Sequence, residues 1–167
     1  MLTSPKINNV THWRTGERTK AQFATAKIGE LDEEASRVAR EAEAAMLTGR
    51  VAVIYTSRQL VAPEQFSPEE KLEFSANISK AVSSAVARSQ VRPAFIIAKG
   101  GITSSDIGTD GLGVKKARVL GQIAPGIPVW LTGDESKFPG MKYIIFPGNV
   151  GEPTTLKDMV RNLTFAN

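Results

Sequence analysis

Three glycine-bearing segments hold the residues best suited to chemistry. The first, Lys99-Gly100-Gly101-Ile102-Thr103-Ser104-Ser105-Asp106, follows the apolar run 94–98 and opens a helix. Two adjacent glycines let backbone turn tightly and approach a ligand with no Cβ in the way. A helix start offers free N–H groups, with Thr103 or Ser104 as the capping side chain, and such an end suits an anion such as phosphate. The same pattern also serves an ordinary strand–turn–helix connection. It is neither a Walker loop nor a three-glycine dinucleotide fingerprint. The second segment, Phe146-Pro147-Gly148-Asn149-Val150-Gly151, again follows a short apolar run. Its composition makes a turn first, and its glycines also suit backbone lying flat against a purine or a phosphate. The third, Gly121-Gln122-Ile123-Ala124-Pro125-Gly126-Ile127-Pro128, is a turn-bearing connection that reads first as structural and also suits closing one wall of a pocket.

Other catalytic sets are missing. His12 is the only histidine and lies in a polar stretch, so it reads as a surface or linker residue. The chain has no cysteine, which removes disulfides and thiolate metal sites. Ser57, Ser104 and Ser105 have no histidine close in sequence and no Gly-x-Ser-x-Gly elbow. Asp106 or Asp110 suits a Mg²⁺ carried by phosphate oxygens, and equally suits capping or solvating a helix. No residue stands out as a general base, and no protein metal site is expected.

The elements that must position these segments alternate between helix and strand. Leu31, Ala35, Val38, Ala39, Ala42 and Met46 recur at helical spacing, with Asp32 as N-cap and Gly49 as stop. The β-branched run 51–55 reads as a buried strand, followed by Thr56-Ser57-Arg58. Ser67-Pro68-Glu69-Glu70 is a capping box with proline in the first turn. The helix it opens carries Leu72, Phe74, Ile78, Ala81, Val82, Ala85 and Val86 as its buried stripe. Strands are predicted at 94–98, 118–122, 129–131 and 143–146, with a short helix ending near Gly111 or Gly113. A last helix after Pro153 turns Leu156, Met159, Val160 and Leu163 inward. Apolar strands alternating with helices predict an α/β fold, a layered α/β/α domain around a central, largely parallel or mixed sheet. Residues 1–29 read as a polar N-terminal arm or linker, and 30–167 as the domain proper.

At 167 residues and 41% apolar the chain has enough for one core. No apolar run approaches the roughly 20 residues that span a bilayer, and the start carries no secretory pattern, so a cytoplasmic protein with no membrane role is expected. The net charge of +4 is scattered among acids, and no basic run is interleaved with aromatics. That argues against a nucleic-acid partner and is compatible with a phosphate-bearing small ligand.

The four segments Thr56-Ser57-Arg58, Gly100-Gly101-Ile102-Thr103-Ser104, residues 121–128 and Pro147-Gly148-Asn149-Val150-Gly151 occur in one order. Together they resemble the C-terminal nucleotide-binding domain of the four-carbon acid-sugar kinases, over about residues 30–163. The resemblance implies binding of ATP or ADP, with Mg²⁺ on the phosphates. It implies phosphorylation of tetronates or 3-oxo-tetronates, performed together with an N-terminal sugar-binding domain that this chain lacks. By the family's pattern the nucleotide contacts fall to Gly100, Gly101, Ile102, Thr103 and Gly148, with Ser104, Asn149 and Gly151 beside them. Three departures stand out. Ile102 replaces the acid many members carry, though Gly-Gly-Ile-Thr is a variant within the family. Phe146 stands where many have lysine, and no Gly-Ser element precedes Thr19-Lys20-Ala21-Gln22. These departures keep open a non-catalytic nucleotide-binding or interaction module. Trp13, Phe23 and Ile28 are expected to cover part of an apolar seam left for a partner, and a two-fold homodimer is the simplest closure.

Overall fold

The computed structural model describes residues 9–11, 18–20, 31–56 and 66–165. The expectations for His12, Trp13, Phe23, Ile28, Gln22 and the Ser57-Arg58 pair lie outside the described residues. The chain divides into two compact units, one over Pro5–Arg92 and one centred on Pro93–Asn167.

The first unit holds a short antiparallel pair, β1 (Asn9–Thr11) with β2 (Arg18–Lys20), and two helices, α1 (Leu31–Leu47) and α2 (Pro68–Arg88). The start of α2 is as the sequence predicts. The Glu70 N–H donates to Ser67 Oγ at 3.2 Å, and the Ser67 N–H donates to Glu70 Oε2 at 2.7 Å. Two otherwise orphaned donors are thereby satisfied within one turn. The helices meet through small residues: Ala35 and Val38 pack with Ala81 and Ala85, and Ala42 with Ala45 forms a second patch. Arg88 ties the pair together, donating to Asp32 Oδ1 at 2.8 Å and Ser36 Oγ at 3.0 Å.

Three expectations are corrected here. The run 51–55 is not a strand. Ala52 and Ile54 instead lie against the alanine patches of the helices, because a β-branched run becomes a strand only where a neighbour completes its ladder. Asp32 lies inside α1 rather than capping it, and completes the acidic first turn with Glu33 and Glu34. Leu72 is 74% exposed and leaves the stripe, since it sits in a turn of α2 ahead of the buried stretch that starts at Ala81. Gly49 does close α1, with φ +71° and its N–H bonded to the Met46 carbonyl.

The second unit is a four-stranded mixed sheet between helical segments. Its strands are β3 (Phe95–Lys99), β4 (Ala117–Ala124), β5 (Ile127–Thr132) and β6 (Lys142–Phe146), in the order β3-β6-β5-β4. β3 and β6 run parallel, pairing Ile97 with Ile144 and Lys99 with Phe146. β5 is antiparallel to both β6 and β4. The Pro125–Gly126 hairpin joins β4 to β5, with Gly126 at φ +74°. Strand alternation sends Phe95, Ile97, Ile144 and Phe146 to one face. There they meet Leu156, Met159 and Leu163 of α4 (Thr155–Phe165). Tyr143 points to the other face and reaches α3 (Gly101–Asp106), which continues into a π-helical turn over Ile107–Gly111. The α/β fold expected from the sequence is present, and its sheet is mixed.

Candidate functional site

The parallel pairing of β3 and β6 ends both strands at the same level, so the two glycine turns leave the sheet side by side. The Gly100 N–H extends the ladder by one rung, donating to the Phe146 carbonyl at 2.8 Å. Gly100 has φ +109° and ψ 145°, a conformation open essentially to glycine alone. It serves as the N-cap of α3, with no side chain capping the helix. The expectation that Thr103 or Ser104 caps is therefore corrected, because both lie within the helix. Ser104 is buried and turns back on the turn, donating toward the carbonyls of Ala98 (2.8 Å) and Gly100 (2.6 Å). The Ser104 carbonyl accepts from the Tyr143 hydroxyl at 2.6 Å, which fixes α3 on the sheet. Burial pushes the Tyr143 phenol up from its ordinary value, the charge of Asp106 adds to this, and the Gly108 amide opposes it.

Gly101 and Ile102 form the open lip of the turn. A Cβ placed on Gly101 meets nothing within 4 Å, and Ile102 is 76% exposed. Thr103 is half-buried behind them.

The second turn begins at Pro147. Gly148 is half-buried and Asn149 exposed. Gly151, at φ +84°, is pressed on the start of α4: a Cβ there would lie 3.0 Å from the Thr155 side chain. The Thr155 hydroxyl in turn accepts the Glu152 N–H at 2.7 Å. Gly151 thus has a packing reason to be glycine whatever else it does. The hairpin turn closes in from the third side, since a Cβ on Gly126 would sit 3.8 Å from Val150.

Lys99, to which the sequence reading assigns no role, links the two turns. Its ammonium lies 4.1 Å from the centroid of the Phe146 ring, and 3.4 Å from each of the Pro147 and Gly148 carbonyls. Burial lowers its pKa. The available signal was a lysine closing an apolar strand, where an alternating buried pattern has no use for a charge.

Of the predicted site residues, Gly100, Gly101, Ile102, Thr103 and Ser104 share one turn, and Gly148, Asn149 and Gly151 share its neighbour. Among the described residues no group of three or more His, Asp or Glu side chains gathers to hold a metal. Among the described residues, too, no helix is long and apolar enough to cross a membrane.

Comparison with known proteins adds to this geometry. No functionally curated protein matches the chain. A crystal structure of a domain of unknown function (DUF1537) from Bordetella bronchiseptica, a domain-swapped dimer with bound citrate, superposes with a TM-score of 0.51 at 18% identity. The match covers 83% of this chain and 34% of that one, so the chain spans about a third of that protein's length. A second crystal form of the same protein gives a TM-score of 0.48 at 15% identity, over 78% of this chain and 31% of that one. The first likeness supports the fold. A family model described as the nucleotide-binding C-terminal domain matches residues 10–156, and with it both glycine turns. The chain belongs to the family of nucleotide-binding C-terminal domains.

Proposed function

We propose that the chain is the ATP-binding part of a kinase acting on four-carbon acid sugars such as tetronates or 3-oxo-tetronates. The nucleotide phosphates lie across the turn formed by Gly100, Gly101, Ile102, Thr103 and Ser104 and the neighbouring turn with Gly148, Asn149 and Gly151. The observation that carries this reading is the Gly100 to Phe146 hydrogen bond, which holds the turns together at the carboxyl ends of two parallel strands. Open α/β sheets bind ligands at that edge. Mg²⁺ carried on the nucleotide phosphates would neutralise charge there.

Phosphoryl transfer is chiefly positioning and charge neutralisation. The Gly100 and Gly101 backbone suits the first task for the nucleotide, and the sugar acid must be presented from elsewhere. We place that presentation in an N-terminal sugar-binding domain, with residues 1–29 as the connecting arm and 30–167 as the nucleotide-binding domain. We read the assembly as cytoplasmic. The domain-swapped dimer of the Bordetella bronchiseptica protein supports a homodimer here as well, and its bound citrate is a small polycarboxylate.

Calorimetric titration with ATP and Mg²⁺ tests the nucleotide reading, with saturable binding expected at micromolar to millimolar nucleotide. No heat and no spectral change up to several millimolar ATP sinks it. The same chain, incubated with ATP and erythronate or threonate, should transfer no phosphate until a sugar-binding domain is joined to it. Binding without transfer in the joined protein would favour a non-catalytic nucleotide-binding module, a reading to which Ile102 and Phe146 already lean.

A further inference from the structure

Among the described residues, Lys99 joins one glycine turn through its backbone and lies against the other through its ammonium. It closes β3, its backbone leads directly into Gly100, and its ammonium lies against the carbonyls of Pro147 and Gly148. Those contacts are at 3.4 Å, well beyond the 2.7–2.9 Å typical of a charge-assisted hydrogen bond, so they use little of what three ammonium donors can give. The face of Phe146, paired with Lys99 across the parallel ladder, supplies the remaining attraction. Among the described residues no carboxylate lies within ion-pair distance of Lys99. Half-burying a charge without a counter-charge is unfavourable, and its lowered pKa reports that cost.

We infer that Lys99 is the phosphate-contacting cation of this site, held between the turns by Phe146 and two loose carbonyl contacts until an anion engages it. The inference rests on the nucleotide reading above for the identity of the anion. The arrangement itself, a half-buried ammonium without a counter-charge where two glycine turns leave the sheet, calls for a phosphate-like ligand of any kind. The alternative role, a latch that only fixes the 147–148 turn, predicts a different pattern of losses.

The experiment titrates wild type, Lys99→Met, Lys99→Gln and Lys99→Arg with ATP, adenosine and inorganic tripolyphosphate, alongside thermal melts. Removing the charge should weaken ATP and tripolyphosphate roughly tenfold or more, the loss expected for a charged hydrogen bond. Adenosine should bind within about twofold of wild type, because the base and ribose do not need the ammonium. Lys99→Arg should recover most of the ATP affinity. Equal ATP binding by wild type and Lys99→Met overturns the inference and leaves the nucleotide reading standing. Equal losses for ATP and adenosine also overturn it, since only a latch behaves so. If wild type binds tripolyphosphate through Lys99 but gains nothing from the adenosine moiety, the anion site stands and the nucleotide reading fails. Should the neutral variants not fold, the Lys99 13Cε resonance of the wild-type chain decides: it must move on adding tripolyphosphate, and a fixed resonance refutes the contact.

Discussion

Gly101 and Gly151 occupy neighbouring turns and are glycine for different reasons. Around Gly101 the chain is open: a Cβ would meet nothing within 4 Å, and its φ is not positive. Around Gly151 it is closed, by a φ of +84° and by the Thr155 side chain 3.0 Å from where a Cβ would be. Nothing within the described residues requires Gly101 to lack a side chain, whereas at Gly151 any side chain would be strained and crowded against Thr155. A glycine that the fold needs says little about a ligand. A glycine that the fold could replace, on the lip of a turn beside a half-buried cation, is where a ligand's close approach becomes the better reason.

Three substitutions test this contrast. The largest effect belongs to Gly151→Val, which puts a β-branched residue in the left-handed region and against Thr155. A stability loss of roughly 2–4 kcal/mol is expected from backbone strain and overpacking, measured by urea unfolding, and a loss under about 0.5 kcal/mol would show that the loop can rearrange. Next comes Gly101→Val. Its unfolding midpoint should stay within a few degrees of wild type, while ATP affinity falls about tenfold or more, near 1.4 kcal/mol, because the new side chain stands where phosphate would lie. Wild-type affinity in that variant would remove Gly101 from the site. The smallest effect is expected from Tyr143→Phe, which frees the Ser104 carbonyl of one donor. That carbonyl still accepts the Ile107 N–H, so the cost should be near 1 kcal/mol. The pH dependence sharpens this case. Burial raises the folded-state pKa of Tyr143 above its ordinary 10.0, so its contribution is complete below about pH 10 and is lost as the unfolded chain ionises above it. Tyr143→Phe should abolish that alkaline loss of stability, and an unchanged alkaline limb would assign it to other groups.

Much of this arrangement was legible residue by residue. The capping box at Ser67 and the stop at Gly49 were readable because each is satisfied within one turn of chain. The four strands of the second unit were readable because short apolar runs between turn formers have few alternatives. The run 51–55 was not, since a β-branched stretch has no ladder of its own and here it lies against two alanine-faced helices. The capping of α3 was misjudged for a related reason. Thr103 and Ser104 are the right types for a cap, but Gly100 takes the cap position once its N–H is bonded to Phe146.

The sequence by itself determined the α/β character, the two glycine turns and their order along the chain, because turn chemistry and hydrophobic period act over a few residues. The family resemblance followed from that order. Which turns become neighbours was decided only by the tertiary structure. The turns that follow Lys99 and Phe146 leave the sheet side by side because β3 pairs in parallel with β6 rather than with the strands between them, and strand pairing depends on side-chain packing across the whole sheet. The same pairing sets Lys99 beside Phe146, giving a lysine that closes an apolar strand a ring to rest on and two turns to bridge.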